Sequence, residues 1–83
     1  MNRLEKIESA LQKAFPDCEY QLTDNSRLHK GHIGAQNGKG HFELTITASA
    51  LTGKKRLEQH RLIFQALDEL MKTEIHALEI HVN

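Results

Sequence analysis

The chain has 83 residues, with eleven basic and eleven acidic side chains and one cysteine. So short a chain supports one compact core and no second domain, and 39% hydrophobic with 27% charged residues is a globular composition, not a disordered one. Balanced charge argues against strong general attraction to nucleic acid or membrane, and the lone Cys18 excludes an intrachain disulfide or a metal cage of four thiolates.

Taken in chain order, the apolar spacing gives a simple pattern. Leu4, Ile7, Leu11, Ala14 and Phe15 recur at helical intervals; Asn2 with Glu5 three residues on has the form of a capping box, and Pro16 ends the helix. Cys18, Tyr20 and Leu22 alternate with Glu19, Gln21 and Thr23 as a short strand. Residues 25–40 hold Gly31, Gly34, Gly38 and Gly40 with little apolar bulk and read as a loop, long enough for so small a domain to suggest a function. From His41 a second strand places Phe42, Leu44, Ile46 and Ala48 on one face. After a turn at Ser49–Gly53, Lys54 to about Lys72 reads as the longest helix. Its apolar stripe is Leu57, Ile63, Phe64, Leu67, Leu70 and Met71, with His60 on the same side. Ile75–Val82 closes the chain as a third strand on which His76, Leu78, Ile80 and Val82 share a face. The order α-β-β-α-β predicts a single α+β (α/β) domain over residues 1–83, a three-stranded mixed sheet covered by helices on one face.

No run of about 18 apolar residues occurs, and Met-Asn-Arg-Leu-Glu-Lys at the start lacks the apolar stretch of a secretory signal. A cytoplasmic protein with no membrane attachment is expected. The chemistry-bearing residues are histidines. His29, His32 and His41 sit in or beside the glycine-rich segment, and imidazole is the commonest metal-ligating side chain. With no cysteine pair, such a segment fits a donated ligand better than a complete metal cage. His29 and His32 could approach one ion; the same spacing also suits solvated loop residues. His76 is a nitrogen donor on strand backbone or, more plainly, a strand-edge histidine with a packed ring. His60 reads as a hydrogen-bonded core residue, and Cys18, on the inward parity of the first strand, as an inert buried thiol. Gly31-His32-Ile33-Gly34 spells the GxxG clamp of KH domains, but between strands where the clamp joins helices. Lys54, Lys55, Arg56 and Arg61 cluster at the start of the long helix, where they could meet phosphates or simply form a solvated face. No Ser-His-Asp set, catalytic carboxylate pair or phosphate loop can be assembled, so the chain is not expected to be an enzyme.

Five strings in order carry a resemblance over nearly the whole length: Asp24 to Gly34, Gly40-His41-Phe42, Leu51-Thr52-Gly53-Lys54, Gln59 to Leu67, and Ile75-His76-Ala77-Leu78. The chain resembles the BolA family. That resemblance implies a KH-like (class II) fold without a working GxxG clamp. It also implies a non-catalytic partner for monothiol glutaredoxins bearing Cys-Gly-Phe-Ser. In such heterodimers a [2Fe–2S] cluster is held by the glutaredoxin cysteine, a glutathione thiolate and nitrogen from the BolA protein. By this resemblance the loop ligand corresponds best to His29, with His32 a near rival, and the second ligand to His76. Histidine in place of cysteine raises a cluster's reduction potential, and because the ligating nitrogen must be neutral, the cluster should be held less well at low pH. The family also suggests, for some bacterial members, a DNA-binding transcriptional regulator, which here would use Lys54, Lys55, Arg56 and Arg61.

Overall fold

The computed structural model describes residues 2–26 and 40–83. Helix α1 spans Arg3–Ala14. The Asn2 side chain accepts from the Glu5 N–H at 2.9 Å and Glu5 Oε1 accepts from the Asn2 N–H at 3.1 Å, so both halves of the expected capping box are made. The helix stops before Pro16, with Phe15 already out of helical geometry (φ −131°, ψ 78°). Ile7, Leu11 and Phe15, four residues apart, are its buried face.

The remaining elements are β1 (Glu19–Asp24), β2 (Gly40–Thr47), α2 (Arg56–Ala66), α3 (Asp68–Thr73) and β3 (Ile75–Val82). The three strands form one sheet in the order β1-β2-β3, antiparallel between β1 and β2 and parallel between β2 and β3. Parallel neighbours need a crossover, and α2 with α3 supplies it. The α+β pattern read from the sequence is therefore the pattern of the fold. Along β2, Gly40, Phe42, Leu44 and Ile46 are buried while His41, Glu43 and Thr45 are not, so the alternation divides a core face from an open one. Leu44, Ile46, Ile7, Leu11, Ile63, Leu67, Leu51 and Ile75 are fully enclosed and form a single cluster with Phe15, Phe42 and Ala48.

Four expectations need correction. The single helix expected from Lys54 to Lys72 is two, because Leu67 leaves helical geometry (φ −104°, ψ 11°) and Asp68 and Glu69 start a new turn. Acidic residues are favourable at that position because they complement the partial positive charge of a helix N-terminus. The stripe on α2 is rotated from the one expected: Ile63 and Leu67 are buried, Leu62 and Ala66 flank them, and Leu57 is 73% and Phe64 38% exposed. At about 100° per residue, Phe64 and Leu57 lie roughly a quarter turn or more from Ile63. His60 is half-buried in a cleft of about 340 Å³ beside Arg56, Gln59 and His81, outside the core. No polar side chain is buried in the core among the described residues. Finally, His76 does not join Leu78, Ile80 and Val82. Gly40 pairs with Ile75 but His41 pairs with Ala77, so a one-residue bulge resets the parity of β3 and leaves His76 exposed.

Glu74 joins three elements. Its backbone carbonyl accepts from the Gly40 N–H at 2.9 Å, and its carboxylate accepts from Lys6 Nζ at 2.6 Å and Arg3 Nε at 3.2 Å. The start of β2, the end of α3 and the first turn of α1 are thus tied at one point. The Lys6 hydrogen bond, with that of Arg3, holds the Glu74 carboxyl below the ordinary carboxylate range. A depressed carboxyl stabilises the fold above its unfolded pKa, and the gain is lost as pH falls through the folded value. Glu74→Gln is therefore expected to lower the melting temperature at pH 7, with the gap to wild type closing as pH is taken below the carboxylate range. A gap independent of pH would show that the ion pairs contribute nothing. Gly40 is equally exacting: a Cβ there would lie 2.7 Å from the Phe42 ring and 2.8 Å from Ser26 Oγ. Gly40→Ala is expected to cost about 1–3 kcal/mol in urea unfolding, the usual penalty of overpacking.

Candidate metal-binding face

Strand pairing fixes what the open face of the sheet displays. Opposite the core, β1 contributes Gln21 and Thr23, β2 contributes His41, Glu43 and Thr45, and β3 contributes Ala77, Glu79 and His81. At one end of this face the His41 and His76 rings are neighbours, with centroids 5.0 Å apart and planes tilted by 49°. The bulge makes this contact possible by placing an extra residue of β3 beside the first turn of β2. The His41 N–H donates to Ser26 Oγ at 3.2 Å, its carbonyl accepts from the Asn25 N–H at 2.7 Å, and its Nε2 is shielded from solvent. His76 is exposed and is the bulge residue, between Ile75 and Ala77, which are both paired to β2.

Ser26 and Gly40, the described residues flanking positions 27–39, lie at this same end of the sheet, since Gly40 pairs with Ile75 and Ser26 bonds to His41. His29 and His32, the expected loop ligands, lie outside the described residues, as do Gly31 and Gly34. Of the three residues expected to ligate metal, the described fold therefore places His76 alone, and it brings it together with His41, which sequence reasoning had not selected.

Further along the face, His81 Nε2 lies 2.7 Å from Glu79 Oε2 and 3.5 Å from Glu43 Oε2. Asn25 Nδ2 donates to the other oxygen of Glu43 at 3.4 Å. Glu43, Glu79 and His81 were also missed. The alternation of β2 and β3 contained half of the signal, but the parallel register that sets Glu43 against Glu79 is a tertiary fact.

The remaining candidates stand apart. Lys54, Lys55 and Arg56 are exposed at the start of α2, and Arg61, also exposed, has Nη1 3.4 Å from Glu58 Oε2 within the same helix. Cys18 is half-buried just before β1, and burial, followed by the charge of Asp17, pushes its thiol pKa up. A raised pKa removes thiolate and with it nucleophilicity, in line with the inert role expected. Among the described residues no helix is long and apolar enough to cross a membrane.

Known proteins share both sequence and fold. The family model described as BolA-like protein matches residues 11–83. The chain is 34% identical over 80 residues to SufE-like protein 1 (chloroplastic/mitochondrial) of Arabidopsis thaliana, a match covering 90% of the chain and 22% of that protein. It is 32% identical over 77 residues to the DNA-binding transcriptional regulator BolA of Escherichia coli, covering 93% of the chain and 70% of the relative. The chain thus spans about a fifth of the first of these and just over two thirds of the second. Among solved structures it superposes on the BolA domain of SufE1 from Arabidopsis thaliana with a TM-score of 0.84, at 34% identity, over 100% of the chain and 92% of that domain. BolA1 from the same plant gives a TM-score of 0.80 at 28% identity, over 99% of the chain and 90% of BolA1. A sheet of this topology, matched in sequence along all but the first ten residues, leaves one assignment: the chain belongs to the BolA family.

Proposed function

We propose that this chain is a non-catalytic adaptor that pairs with a monothiol glutaredoxin and donates imidazole nitrogen to a shared [2Fe–2S] cluster. The observation that carries the reading is His76. It is exposed, it stands on a bulge in a paired strand, and it sits at the end of the sheet where residues 27–39, with His29 and His32, leave and return. His29 is three residues from Ser26, a separation that extended chain covers in about 10 Å. The donor chemistry fits an iron–sulfur centre: neutral imidazole replaces thiolate on iron in Rieske-type clusters. It fits a shared one better than a resident one, because His76 and one loop histidine fill only part of an iron's coordination and the rest must come from a partner's thiolates. When bound, the cluster supplies one-electron redox chemistry or is itself the cargo. The work of this chain is to hold His76 on rigid backbone, which fixes ligand direction, and to leave its ring accessible.

Mixing the protein with cluster-loaded glutaredoxin and glutathione should change visible absorption and circular dichroism and give co-elution on a sizing column. His76→Ala should abolish the spectral change without lowering thermal stability, and His29→Ala against His32→Ala should identify the loop donor. Unchanged spectra with wild-type protein, and separate elution, would reject the reading.

A second reading is favoured by the exposure of Lys54, Lys55 and Arg56 in one patch and by the name of the Escherichia coli relative. In it, these residues and Arg61 contact DNA phosphates. Four such contacts predict that log affinity falls with log salt at a slope of roughly −3 to −4. Replacing Lys54 and Lys55 together by Glu should abolish that binding while leaving the glutaredoxin spectra intact; a salt-independent affinity would rule out the phosphate contacts.

A further inference from the structure

Beyond the His76 end of the sheet, we propose that Glu43, Glu79 and His81 form a separate site for one divalent transition-metal ion of the Zn2+ class. Glu43 and Glu79 are register partners across the β2–β3 pair, so two carboxylates stand side by side on the open face. Like charges directly opposite one another on neighbouring strands repel. The strands place no lysine or arginine on this face among the described residues, and the side chain that meets both carboxylates is the imidazole of His81. The arrangement therefore calls for a positive charge between the carboxylates and supplies a nitrogen ligand at the same point.

The geometry suits a metal. One oxygen from each carboxylate and one nitrogen of His81 all lie within 4.8 Å of one another. Bonds of about 2.0–2.2 Å around a four-coordinate Zn2+ set neighbouring donors about 3.4 Å apart. The 3.5 Å from His81 Nε2 to Glu43 already meets that spacing, and the 2.7 Å to Glu79 must open by under an ångström. Glu79 is 66% and His81 52% exposed at the side chain, so rotation supplies the opening without disturbing the core. All three ligands stand on mutually paired strands, which fixes their Cα positions before the ion arrives. One imidazole with two carboxylates suits Zn2+, Co2+, Mn2+ or Fe2+ and not Cu(I), which takes thiolate and thioether. With three protein ligands and an open face, water completes the shell, so the site is an exchangeable one rather than a structural staple.

The site does not depend on the glutaredoxin reading, and the test separates the two. Co2+ alone is titrated into the purified full chain and followed by its visible absorption. One equivalent is expected to bind, and Glu79→Gln and His81→Ala should each weaken binding by roughly tenfold or more, since loss of even an outer-shell partner costs that much. Glu79→Gln keeps shape and pairing, so it reads ligation even if His81→Ala disturbs the strand end. His76→Ala should leave Co2+ binding unchanged, and both site variants should still shift the spectra of cluster-loaded glutaredoxin. Binding that survives Glu79→Gln and His81→Ala, binding that disappears with His76→Ala, or no binding at millimolar Co2+ would each overturn the proposal.

Discussion

The fold rests on β2. It is the central strand, paired with β1 on one side and β3 on the other, and its alternate residues Phe42, Leu44 and Ile46 sit in the middle of the core. A strand that buries one face has no freedom of register, because a slip of one residue would exchange every apolar side chain for a polar one. Leu44 and Ile46 are fully enclosed, so the same constraint that builds the core dictates that His41, Glu43 and Thr45 point the other way. The open, polar face of the sheet is a consequence of that division.

The division also explains why so neutral a chain concentrates titratable groups in one place. The core excludes them, and β3, laid parallel to β2, brings its own outward residues Glu79 and His81 alongside Glu43. At the other end the bulge between Ile75 and Ala77 turns His76 outward next to His41. A regular strand would have carried His76 toward the helices, where an imidazole needs hydrogen-bond partners that an apolar core does not offer. The bulge is therefore what makes His76 available as a ligand. Glu74, immediately before β3, anchors this end by bonding α1 through its carboxylate and β2 through its backbone.

Local rules were legible in the sequence wherever a residue acts through its neighbours in the chain. Asn2 and Glu5 announced the capping box, Pro16 the end of α1, and Phe42, Leu44, Ile46 and Ala48 the buried face of β2. The break at Leu67 was less visible, because Leu67 is itself buried and continues the apolar count past the point where helical geometry fails. The acidic pair Asp68 and Glu69 marked the new start, but within a long amphipathic pattern it read as polar surface. Phe64 and Leu57 misled for the opposite reason: large apolar side chains at a seven-residue interval imitate a core stripe, yet the buried side of α2 runs along Ile63 and Leu67.

The chain's own order of residues determined its strands, its first helix, its α+β class, its family and the candidacy of His76, since periodicity, caps and short motifs are properties of neighbours in sequence. Only the tertiary structure decided that His76 faces outward, that His41 lies beside it, and that Glu43, Glu79 and His81 converge. Those facts depend on the parallel register of β2 with β3 and on the one-residue bulge within it. Register is set by how two distant segments share a core, and no local pattern records it.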